Sequence, residues 1–162
     1  MHHHELTYGL AVTIREHPVV WLRRVHGVIA RALWDLGIQT EFVEVDVRES
    51  ASPLCFHQFA SGDVICRRAK VVGSAQRKQG YRLLQHGTVL LASSQHAPEL
   101  SGILERTGLS VVPALLQAAI EQAFQKVHSW QIERREWTRA EQDWIRRLSA
   151  HKYAQASWNE KR

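Results

Sequence analysis

Ala69-Lys70-Val71-Val72-Gly73-Ser74-Ala75-Gln76-Arg77 and, shortly after, Leu84-Gln85-His86-Gly87-Thr88-Val89-Leu90-Leu91 are the stretches on which the reading of this sequence turns. Both halves are rich in aliphatic residues, interrupted by small ones and separated by a turn signal at Gln79-Gly80, so they predict strands over 69–75 and 82–92. A third short strand, over 63–66, precedes them through a turn at Arg67-Arg68, and the segment reads as a meander.

Upstream, Leu6, Tyr8, Leu10 and Val12 alternate with mostly polar residues, which predicts a strand over 5–13. Pro18 then stands where a helix can begin. Val20, Leu22, Val25, Ile29, Leu33 and Leu36 recur at helical spacing until Gly37 offers a left-handed stop. Residues 41–47 alternate again, and the break around Pro53 leads into a loop carrying Leu54-Cys55-Phe56. Downstream, a short helix is expected over 99–106. A longer one, capped by Ser110, has an apolar face through Val112, Leu115, Leu116, Ala119, Ile120, Phe124 and Val127. Thr138 and Glu141 form a capping box that opens a last helix with the stripe Trp144, Ile145 and Leu148. Strands together with segregated helices predict an α+β fold, a mixed or antiparallel sheet with packed helices.

Composition narrows the function classes. The chain has 162 residues, 44% hydrophobic and 23% charged, with 9 glycines and 4 prolines, which is the make-up of one compact domain with at most a small appendage. Two cysteines point to a reducing compartment. No apolar run of about 20 residues and no export pattern is present, so a cytoplasmic protein without a membrane span is expected. The net charge of +5 favours an acidic partner. The basic residues come in scattered pairs such as Arg23-Arg24 and Arg146-Arg147, without a nucleic-acid recognition signature, so no nucleic-acid partner is expected. No Cys-x-x-Cys or His-x-x-x-His pair exists, and no metal site is expected.

Among the side chains that could carry chemistry, Lys70 sits on a strand between apolar neighbours, where its amine could exchange protons or grip an anionic or carbonyl oxygen. It could equally face solvent. The run Gly73-Ser74-Ala75 lets backbone N–H groups approach a ligand, or marks only a bulge or tight packing. Cys55 lies in a proline-containing loop and is either an accessible thiol or a core cysteine, whereas Cys66, in an alternating strand, reads as filler. His86 before Gly87 reads as a turn histidine bonded to a carbonyl, or as part of a ligand site.

The block Lys70 to Arg77, followed by Leu84 to Leu91, closely resembles the lysine-bearing segment of the lipoate protein ligase and octanoyltransferase superfamily, which is related to biotin protein ligase. Glu5-Leu6-Thr7-Tyr8 resembles the strand after that family's first binding loop. Lys152-Tyr153 with Trp158-Asn159 resembles the C-terminus of its Cys-dependent octanoyltransferases. The resemblance implies the C-terminal portion of a biotin/lipoate protein ligase-like catalytic domain over 1–130, with a helical extension over 131–162. It implies an acyltransferase that moves an octanoyl or lipoyl group to a lysine of lipoyl domains through a cysteine thioester. Cys55 would be the nucleophile, because ligases typically lack a cysteine there, and Lys70 would hold the acyl carbonyl and assist proton transfer. Gly73, Ser74, Ala75, His86 and Gly87 would bind the acyl group, with N–H groups around Gly73 and Ser74 as oxyanion donors.

By the same resemblance the transferase needs no cofactor. Its donor would be octanoyl acyl carrier protein and its acceptor a lipoyl domain or the glycine-cleavage H-type protein. The alternatives are a lipoate protein ligase using ATP and magnesium, and a non-catalytic accessory subunit. Two departures stand out. The family's upstream Arg-Arg-x-x-Gly-Gly portion is not in this sequence, which leads us to expect a truncated or split chain, a separate chain supplying that portion, and an exposed apolar edge at 5–13. A glycine common before the family's lysine is replaced by Arg67-Arg68-Ala69, which predicts a different turn type.

Overall fold

The computed structural model describes residues 4–44, 56 and 58–160. Residues 1–130 and 131–162 form two compact units. In the first, β1 (Glu5–Thr13) leads into α1 (Pro18–Asp35), followed by β2 (Glu41–Phe42), β3 (Val64–Cys66), β4 (Ala69–Gln79), β5 (Arg82–Leu90), α2 (Ile103–Thr107) and α3 (Pro113–His128). The five strands make one antiparallel sheet in the order β1-β5-β4-β3-β2. Leu83, Gln85, Gly87 and Val89 of β5 point to the covered face and Arg82, Leu84 and His86 to the other. On the covered side, Val28, Ile29 and Leu33 of α1 and Leu116 and Ala123 of α3 meet Val64, Val72 and Val89 of the sheet in one core.

The local chemistry explains most boundaries. Pro18 opens α1 behind His17, whose Nδ1 accepts from the Val19 N–H. The helix ends where Gly37 takes φ +83° and its N–H bonds the Trp34 carbonyl. α3 begins at Pro113, not behind a Ser110 cap, because a proline disfavours helical backbone in the residue before it, and Val112 is extended at ψ 123°. α2 starts at Ile103 rather than near residue 99. Gly102 there packs so closely on the end of β5 that a Cβ would lie 2.5 Å from the Ala92 nitrogen, and the helix begins only past this contact. The strand expected over 41–47 is reduced to Glu41–Phe42, and residues 45–47 lie outside the described ones. β4 continues past Ala75 to Gln79, and β5 stops at Leu90.

β1 is an edge strand that pairs with β5 along its whole length. Its apolar side chains are not left bare, since Leu6, Tyr8 and Leu10 pack against the core. The β3–β4 turn has left-handed geometry: Arg67 and Arg68 have φ +45° and +68°. Positive φ at both centres of a two-residue hairpin is the type I′ signature, usually met by Asn-Gly. For an L residue with a side chain such backbone costs about 1–2 kcal/mol.

The second unit contains α4 (Arg139–Leu148), a π-helical turn (Ser149–Tyr153) and α5 (Ala156–Asn159). The Thr138–Glu141 capping box opens α4, and Arg135 grips Glu141 with two bonds of 2.7 and 2.9 Å. No residue of these three helices is buried. Trp144, Ile145 and Tyr153 stand exposed, and Tyr153 meets Trp158 edge-on.

Candidate active site

Lys70 occupies the start of β4, and its ammonium lies 2.6 Å from a carboxylate oxygen of Asp63, the residue just before β3. Their side chains are 8% and 4% exposed, so the pair is desolvated. Such charges are tolerated only when matched. The lysine also donates to the Gln58 carbonyl at 3.0 Å and stands 5.3 Å from the Phe56 ring centroid. Asp63 in turn accepts from the Ala60 N–H.

A register shift in the β3–β4 ladder creates this pairing. Val64 faces Val72 while Ile65 faces Lys70, so β4 carries one extra residue. The bulge turns Lys70 onto the side of the sheet where Gly73 has no side chain. A Cβ on Gly73 would stand 2.5 Å from Lys70 Cε, so the glycine supplies the room in which the lysine lies.

Behind this pair, under the helices, runs a buried polar chain. His26 of α1 is fully buried, with Nδ1 2.6 Å from the Gly62 carbonyl and Nε2 2.7 Å from Ser74 Oγ. Gly62 O can only accept, so Nδ1 carries the proton and Ser74 donates to Nε2. Ser74 Oγ accepts from Gln85 Nε2 at 3.2 Å, and Gln85 Oε1 accepts from Gln76 Nε2, which also donates to the Pro18 carbonyl. Tyr8 reaches the same serine and glutamine across Gly87. A Cβ there would lie 2.6 Å from the Tyr8 hydroxyl and 2.5 Å from the Gly73 carbonyl oxygen. Burial pushes the His26 pKa below its ordinary 6.5, with the Lys70 charge acting the same way and the Gly62 bond and Asp63 opposing. Burial also raises that of Tyr8.

The sequence candidates therefore divide between two faces. Lys70, Gly73, Ala75 and His86 belong to the open face, where Ala75 and His86 are paired and exposed. Ser74 and Gly87 serve the buried chain on the other. Cys55 lies outside the described residues. Cys66 is buried in the core, with its thiol pKa raised by burial against the pull of Arg67 and Arg106. Asp63 and His26 were not singled out by sequence reasoning. The signal available for them was a histidine on the apolar stripe of α1 and three polar residues, Ser74, Gln76 and Gln85, at inward strand positions.

Beside Lys70 opens a cleft of about 210 Å³. Phe56, Phe59, Leu90 and Leu100 give it apolar walls, and Arg68, Arg106 and Glu99 bring charge to it. Among the described residues no group of histidines, cysteines and carboxylates could hold a metal ion, and no helix is long and apolar enough to cross a membrane.

Residues 3–126 match the lipoyl protein ligase A/B catalytic domain. Octanoyltransferase LipM of Anoxybacillus flavithermus is 26% identical over 196 aligned residues, covering 100% of this chain and 70% of its own. LipM of Clostridioides difficile is 32% identical over 100 residues, covering 56% and 36%. Among solved structures, a lipoate-protein ligase A bound with ATP superposes with a TM-score of 0.74 at 15% identity, covering 96% of this chain and 64% of that one. The biotin protein ligase of Aquifex aeolicus gives 0.55 at 10% identity, covering 78% and 53%. At such identities the structural likeness establishes the fold, and the matched stretches cover between 36% and 70% of these proteins' own lengths.

Proposed function

The chain belongs to the family of lipoyl protein ligase A/B catalytic domains, and from that premise we propose that it transfers an octanoyl or lipoyl group to a lysine of lipoyl domains through a thioester on Cys55. The observation that carries this reading is the desolvated Lys70–Asp63 pair, held in the space left by Gly73 at the edge of a cleft with both apolar and charged walls. An ammonium fixed there can donate to a thioester carbonyl as negative charge develops on its oxygen.

In the first half-reaction the Cys55 sulfur attacks the carbonyl carbon of the octanoyl thioester on acyl carrier protein. The carrier thiol leaves with a proton, and the octanoyl group stays on Cys55. In the second, the acceptor lysine amine attacks that thioester, an amide forms, and the Cys55 thiol is released. Lys70 polarises the carbonyl in both steps and hands protons to the departing sulfur. No cofactor is needed.

The test is incubation with octanoyl acyl carrier protein followed by peptide mass mapping. The octanoyl adduct should sit on Cys55, vanish in Cys55→Ser and persist in Cys66→Ser. Equal adduct in both variants refutes the assignment. Octanoyl-adenylate formation from ATP without an adduct would favour ligase chemistry, and turnover only after a second polypeptide is added would favour an accessory subunit.

A further inference from the structure

The cleft beside Lys70 holds more positive charge than carbonyl chemistry requires. Arg68 and Arg106 both line it, and among the described residues Glu99 is the one carboxylate in its lining. Lys70 is already matched by Asp63, so among the described lining residues the two guanidinium groups outweigh the single carboxylate of Glu99.

The backbone at Arg68 adds a second observation. Arg67 and Arg68 hold left-handed φ values that favour glycine or asparagine. For Arg67 the geometry has an internal return, because its Nη1 donates to the Arg106 carbonyl at 2.8 Å. Arg68 is exposed, and among the described residues its guanidinium makes no hydrogen bond or ion pair. Strain of this kind persists where surrounding structure or a ligand makes use of it.

Arg106 contributes a third. Its Nη2 donates to Ser101 Oγ at 3.1 Å, while its buried Nε–H has no partner among the described residues. A guanidinium with an unmatched donor at the wall of a cationic cleft is suited to an anion with several acceptor oxygens.

We propose that Arg68 and Arg106 form a phosphate-ester subsite at the cleft of Lys70, which anchors the phosphate of the acyl donor while its acyl group reaches the lysine. Two donors share this chemistry, a phosphopantetheine thioester and a nucleotide. The proposal rests on the acyl-transfer reading for its purpose, but the binding itself is measurable without turnover.

The probes are phosphopantetheine, pantetheine without the phosphate, and ATP, titrated calorimetrically into the 162-residue chain and its Arg68→Gly variant. Glycine accepts the left-handed backbone, so the variant should melt higher by a few degrees and its fold is not in question. Phosphopantetheine should bind about tenfold more tightly than pantetheine, and Arg68→Gly should erase that difference, as expected for a lost charge-assisted contact. Arg106→Gln should weaken the phosphorylated probe alone. An Arg68-dependent affinity for ATP but not phosphopantetheine keeps the subsite and identifies a nucleotide as its source. If neither phosphorylated probe distinguishes Arg68→Gly from the parent chain, the subsite is overturned. Arg68-dependent binding without acylation of Cys55 would sink only the transfer reading.

Discussion

His26 Nε2 and Ser74 Oγ lie 2.7 Å apart although 48 positions separate them in the chain. Through this bond α1 is tied to the middle of β4, and through Nδ1 the same ring is tied to Gly62, the neighbour of Asp63. The imidazole thus braces both sides of the pair that holds Lys70.

Stability should depend on that ring being neutral. Burial holds its folded-state pKa below the ordinary 6.5, so as the pH falls the unfolded chain takes up a proton first. The native state should lose stability below about pH 6.5 and go on losing it until the buried imidazole itself titrates. Urea unfolding at about pH 5.5 and about pH 7.5 should show this slope. His26→Asn should flatten it and lower stability at the higher pH by about 1–3 kcal/mol, because a buried hydroxyl loses its acceptor.

Asp63→Asn takes the carboxylate charge of Asp63 away from the buried Lys70 ammonium. A loss of about 3–5 kcal/mol in chemical denaturation is expected. Replacing both partners with apolar residues of similar volume should restore most of it. A single variant as stable as the parent chain would show that the ammonium escapes to water.

Gly73→Ala tests placement rather than charge. The added methyl meets Lys70 Cε, and the flexible lysine should give way by moving off Asp63. Acylation should fall by about 10²-fold, the scale of an ångström-sized misplacement, and the melting temperature should fall with the weakened Lys70–Asp63 pair. An unchanged rate would remove Lys70 position from the mechanism.

At Gly87 the added methyl has nowhere to go, since backbone and the Tyr8 hydroxyl both lie inside contact distance. Gly87→Ala should destabilise by about 1–3 kcal/mol through overpacking. Tyr8→Phe in the same chain should relieve part of that loss, and a cycle of thermal denaturations would measure the coupling.

The sequence announced what depends on neighbours in the chain. β1 is legible in its alternation, α4 in its capping box and the end of α1 in Gly37, because each signal is local. Lys70 was recognised, but its partner was not. Asp63 reaches it only through a bulge and a left-handed turn, and arginines are poor advertisers of such a turn. His26 was hidden for another reason. A histidine in an apolar stripe looks like a surface residue out of place until Ser74 and Gly62 are folded against it.

Pairing β1 with β5 also sets a clock on synthesis. Leu6 finds Val89 opposite it, so the first strand has no partner until the fourth of the later strands has left the ribosome. At about 5–20 residues per second, β1 waits roughly 4–16 s with its backbone groups unmatched. During that interval α1 and the β3–β4 hairpin can form from local contacts. A nascent chain stalled before residue 82 should therefore expose Tyr8 to a protease that the finished sheet excludes.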